Sequence, residues 1–147
     1  MANLRGVLHG GALFVVANDS APEPADWDPY MVQLAEAFTQ ANGKPVKLVV
    51  FAGGGVPNSG MRLKLREVTA SRPILTAVIT DSPVVRTIIG VFSLFVAGTK
   101  PFAPSDWRAA LDYVGFPYDQ LSSLLPHLRQ LDADVHGSRA AVEILKL

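Results

Sequence analysis

The stretch from Lys47 to Val68 constrains the fold more than any other. Val46, Leu48, Val49, Val50 and Phe51 form a short, nearly unbroken apolar run, as a strand covered on both faces requires. Gly53, Gly54 and Gly55 break the run, and Pro57, Asn58, Ser59 and Gly60 follow. A helical pattern then resumes, with Met61, Leu65 and Val68 on one face. Strand, glycine loop and helix in that order belong to an open α/β sheet, and such sheets usually place ligands at these loops.

The flanking sequence repeats the alternation. Leu4 to His9 and Ala12 to Ala17 are predicted strands, joined at Gly10-Gly11 by a tight antiparallel hairpin. A helix is expected from Trp27 to Ala41, with Asp26 as its cap and Asn42-Gly43 as its end. Ile74 to Thr80 is the next strand, and Asp81-Ser82-Pro83 starts a helix. That helix, predicted over 83–97, is unusually apolar, with Val84, Val85, Ile88, Ile89, Val91, Phe92, Leu94, Phe95 and Val96. Either it is packed on both sides, or it offers a surface to a partner or lipid. Lys100 to Ala103 is a predicted edge strand, because Pro101 and Pro104 disfavour a central place. Ser105 is the expected cap of a helix from Asp106 to Val114, and Gly115 ends it.

These elements predict an α/β domain over 1–116, with a mixed, mostly parallel sheet of about five strands. Phe14, Val16, Val49, Phe51, Leu75 and Val78 are expected to be buried in it. A C-terminal helical extension follows over 117–147. Leu121, Leu124, Leu125, Leu128 and Leu131 form a stripe along it, kinked or restarted at Pro126, and Ser138 opens a last helix. The stripe can fold back on the domain or pack against another chain; because the α/β core closes at Gly115 in this scheme, packing between protomers of a homodimer is the expectation.

Composition narrows the function. At 49% hydrophobic and 18% charged residues, the 147-residue chain has the apolar content of a filled core and not of a disordered segment. Thirteen basic residues balance thirteen acidic ones, so there is no global footprint for nucleic acid. With no cysteine there are no disulfides or thiolate metal sites. His9, His127 and His136 share no ligand spacing, so no metal is expected. Asp132 and Asp134 are expected in a solvated linker. The N-terminus lacks the apolar core of a signal peptide, so a cytoplasmic location is expected.

The order of elements, with the strand KLVVFAG and the turn NSGMRLKL, resembles the STAS family of anti-sigma-factor antagonists. It resembles more closely still the sporulation anti-sigma-factor-antagonist-like branch, which shares its architecture with Sec14-type lipid-binding proteins. The resemblance spans Leu4 to Phe116. In regulatory members a strand ends in Asp-Ser-Ser-Gly-Leu, and a partner kinase phosphorylates a serine there. Asn58-Ser59-Gly60-Met61 stands at the equivalent place, with Asn58 for Ser, Pro57 for Asp and a longer, glycine-richer loop. The resemblance therefore implies a bacterial regulatory module, with Ser59 as its phosphorylation candidate and a kinase or regulator as its partner.

The residues offer the following site. Ser59 is expected at a helix N-terminus, where free N–H groups favour a phosphate, with Arg62 and Arg66 one turn apart to pair with it. The plain alternative is a capping serine beside solvated arginines. Gly53, Gly54 and Gly55 are candidates to cradle an anion through their amides, or they form a connection without a ligand. GGGVPNSG is neither a Walker A motif nor a dinucleotide fingerprint, so no cofactor is expected. Asp81 and Arg86 would join Arg62 in a polar cluster at the strand ends, or serve as a cap and a surface charge. No Gly-x-Ser-x-Gly elbow or other nucleophile–base pair is present, so an enzyme is not expected. The leading function is a non-enzymatic regulatory or protein-interaction module. The alternative is a small-molecule or lipid-binding domain whose pocket is lined by helix 83–97.

Overall fold

The computed structural model describes residues 2–92 and 97–137. Five strands lie in sequence order, β1 (Leu4–His9), β2 (Ala12–Ala17), β3 (Val46–Phe51), β4 (Ile74–Ile79) and β5 (Thr99–Phe102). β1 and β2 are antiparallel and the remaining pairs are parallel, as the sequence predicts. Gly10 and Gly11 both adopt positive φ, 57° and 78°, as a two-residue hairpin turn requires. β5 pairs with β4 alone, so Pro101 meets the sheet at its edge.

The alternation of side chains along each strand divides the core in two. Leu13, Val15, Leu48 and Ile74 face helices α1 (Pro24–Ala41) and α2 (Ser59–Thr69). With α3 (Pro83–Phe92) introduced on the same side, Val85 and Ile89 meet Val78 in a small further cluster. Phe14, Val16, Val49, Phe51, Ala77 and Ile79 face α4 (Trp107–Val114) and α5 (Leu121–His136) on the other side.

Several expectations change. Glu23 is the N-cap of α1, while Asp26 sits three residues in and accepts a hydrogen bond from the Glu23 amide (2.9 Å). This is a capping box, in which the acidic residue reaches back to the cap. Ser105 falls within a short 3-10 turn, Pro104–Asp106, and α4 begins only at Trp107. Leu75 is half-buried, packed at the margin of the cluster under α4.

The largest correction concerns the leucine stripe. α5 continues through Pro126, and Leu124, Leu128 and Leu131 are buried against the same sheet face that α4 covers. α4 reaches β3, β4 and β5 of that face, and α5 covers β1 and β2. The stripe thus packs into the chain's own core. Asp132, expected in a linker, is buried on α5, and its carboxylate lies 2.7 Å from His136 Nδ1. Residues 93–96 of the predicted apolar helix and the predicted helix after Ser138 lie outside the described residues.

Candidate functional site

The loops after β2, β3 and β4 gather at the carboxyl ends of the parallel strands. The glycine loop is occupied by its neighbour. The Gly53 amide donates to the Ala17 carbonyl oxygen (3.0 Å), Gly55 to that of Asn18 (3.2 Å), and Gly54 to Asp19 Oδ1 (2.8 Å). All three amides are thus turned to the end of β2 and the loop that follows it, rather than to an anion cradle at Gly54 and Gly55. The glycines serve close approach instead. A Cβ on Gly53 would lie 2.6 Å from the Asn18 carbonyl oxygen, and one on Gly55 would collide with the carbonyl of Ser20.

At the start of α2 the cap is Asn58, whose Oδ1 accepts from the Met61 amide (2.9 Å). Ser59 is the first helical residue and is exposed. Arg62 folds back, and its Nη1 donates to the Pro57 carbonyl oxygen (2.7 Å). Arg66 is exposed one turn further on. Arg86 likewise secures its own loop, donating from Nη2 to the Thr80 carbonyl oxygen (3.1 Å), while Ser82 caps α3 by accepting from the Val85 amide. Asp81 is exposed and, among the described residues, forms no ion pair with Arg62 or Arg86. The predicted polar cluster is therefore two separate loop clasps.

What the fold does assemble is an apolar cavity of about 150 Å³ between the sheet and helices α1, α2 and α3. Leu48 and Val50 of β3 and Thr76 and Val78 of β4 form its floor, on the face that strand alternation turns to these helices. Val85, Ile88 and Ile89 bring α3 to one side and Leu65 brings α2. Trp27 and Tyr30 close it from α1, their rings edge to face at 5.1 Å. The indole N–H is satisfied by the Met61 carbonyl oxygen (3.1 Å), so the ring itself is free to act as wall. Burial pushes the Tyr30 phenol up, well above its usual range, and so holds it neutral. The space explains why Val50 is only half-buried in a central strand.

Of the residues singled out from sequence, Gly55 and Arg62 border this cavity; Gly54, Asn58, Ser59, Arg66, Asp81 and Arg86 do not. Arg62 is the one charged residue on its described margin, and its guanidinium is turned to Pro57. Helix α3 is two-sided as found: Val85 and Ile89 are buried while Val84 is 59% exposed. Periodicity puts Trp27 on the inner face of α1, but nothing in the sequence marks that face as a cavity wall.

Comparison with family models, with curated proteins and with solved structures finds no match for this chain. Among the described residues, no helix is long and apolar enough to cross a membrane, and no group of three or more His, Cys, Asp or Glu gathers to hold a metal ion.

Proposed function

We propose that this domain is a non-enzymatic binding module that takes a small, neutral, apolar molecule between α2 and α3. The apolar cavity under α3 carries the reading. Interiors normally close such space, since unfilled apolar volume costs stability. A space of about 150 Å³ with apolar walls is large enough for a benzene-sized guest. Its position between helices and at the strand ends is a usual one for ligands in α/β folds. The one nearby charge is engaged elsewhere, which argues for a neutral guest.

Saturation-transfer NMR with toluene and benzoate tests this. Toluene should receive saturation from the protein and benzoate should not. Val50→Phe, which fills the floor, should abolish the toluene signal. Equal signals from toluene with wild type and Val50→Phe would contradict the proposal.

A regulatory, partner-binding role in the manner of the STAS family is the second reading. It is supported by Ser59 standing exposed at the start of α2, with Leu63 (48% exposed) on the same helix and Val84 exposed on α3. A cytoplasmic location is compatible with the cysteine-free sequence. In this reading Ser59→Asp changes retention of a partner kinase or regulator in pull-downs; equal retention would end it.

A further inference from the structure

We propose that His9 and His127 form a surface site for a late first-row divalent cation such as Zn²⁺ or Ni²⁺, joining β1 to α5. The proposal does not depend on the apolar cavity, which lies on the other face of the sheet.

His9 is the last residue of β1 and shares the α5 side of the sheet with Val7, two residues earlier. Ser123 and His127 lie one turn apart on α5, so both reach the same spot. The two imidazole rings have centres 4.8 Å apart and are tilted by 43°. Two imidazoles sharing one cation, each nitrogen at about 2.0–2.1 Å from it, have centres about 5 Å apart when their bonds to it meet at a right or tetrahedral angle. The observed spacing, which also falls in the range of ordinary ring–ring contacts, matches that of two ligands of one ion.

The hydrogen bonds bear on which nitrogen is offered. The Ser123 hydroxyl donates its single proton to the Gln120 carbonyl oxygen (2.9 Å). Its oxygen also lies 2.9 Å from His9 Nε2, and can there only accept. With the Ser123 proton on Gln120, neutral His9 carries its proton on Nε2 and has its Nδ1 lone pair for an ion. A metal-binding histidine is ordinarily held in just this way, one nitrogen anchored by hydrogen bond and the other free for the ion. Imidazole donors select zinc, nickel and copper over magnesium and calcium. Two protein ligands leave the remaining positions to water, so the site is open.

The test is calorimetric titration of the full chain, without a polyhistidine tag, with Zn²⁺ alone and with Ni²⁺ alone. Wild type should bind one ion per chain. His127→Ala and His9→Ala should each weaken binding by at least about tenfold, and Ser123→Ala by about 10- to 100-fold, the usual loss when an anchoring partner is removed. His136→Ala, which alters a histidine already engaged by Asp132, should bind as wild type does. His127 is exposed, so its replacement should leave the fold intact, checked by circular dichroism. Zn²⁺ should also raise the melting temperature of wild type and not of His127→Ala, because the ion binds only the folded arrangement. Absence of binding by wild type, or an unchanged isotherm in His127→Ala, would overturn the site.

Discussion

The backbones of Gly53 and Asn18 lie so close that a Cβ on Gly53 would stand 2.5 Å from the Asn18 carbonyl carbon. The contact locks the loop after β3 onto the loop after β2, with amide hydrogen bonds on both sides of it. Gly53→Ala and Gly55→Ala should each destabilise the protein by about 1–3 kcal/mol, the usual cost of forcing backbone shifts in a packed region. Gly54→Ala, whose Cβ would meet only Asp19 Oδ1 at 3.6 Å, should be nearly neutral. Urea unfolding of the three variants measures the contrast.

The cap of α2 gives a second contrast. Asn58→Ala removes the side chain that accepts the Met61 amide and should cost about 0.5–2 kcal/mol. Ser59→Ala, at the exposed first helical position, should change the unfolding midpoint little. A reversed order of the two effects would show that Ser59, not Asn58, holds the helix start.

The role of α5 is tested by its leucines. Leu128 is fully buried against the sheet, so Leu128→Ala should cost about 2–5 kcal/mol. Leu125 is half-buried and its replacement should cost less. If Leu128→Ala lowered the mass seen by light scattering and left unfolding of the separated chain unchanged, the stripe would belong to an interface between chains after all.

Much of the architecture is legible in the sequence, because the signals for it are local. The apolar runs of β3 and β4 declare covered strands, and Gly10-Gly11 declares the hairpin. Contacts between distant segments are not legible. Three glycines in a row indicate close backbone approach without saying whether a ligand or the Asn18 loop is the neighbour. The leucine stripe of α5 announces one buried face, not what covers it. Asn58 and Ser59 are both good caps, and sequence alone cannot choose between adjacent positions. The cavity has no sequence signature, since it is space left between Val50, Val78 and α3. His9 and His127 meet only because α5 returns across β1.

Tyr30 gives a pH dependence. The phenol is uncharged while protonated, and burial favours that form, so the native state keeps its proton to higher pH than the unfolded chain. Stability should therefore fall as pH rises past the ordinary phenol value of about 10. Tyr30→Phe should lessen that fall. Urea midpoints measured on either side of that pH for both proteins check it, and parallel slopes would contradict it.

The most direct test of the central claim is a xenon titration followed by methyl NMR, since xenon enters dry apolar cavities and needs no chemical match. Saturable shift changes are predicted at Val50, Val78, Val85, Ile88 and Ile89, and their loss in Val50→Phe. No saturable change at these methyls, or the same changes in Val50→Phe, would contradict the account.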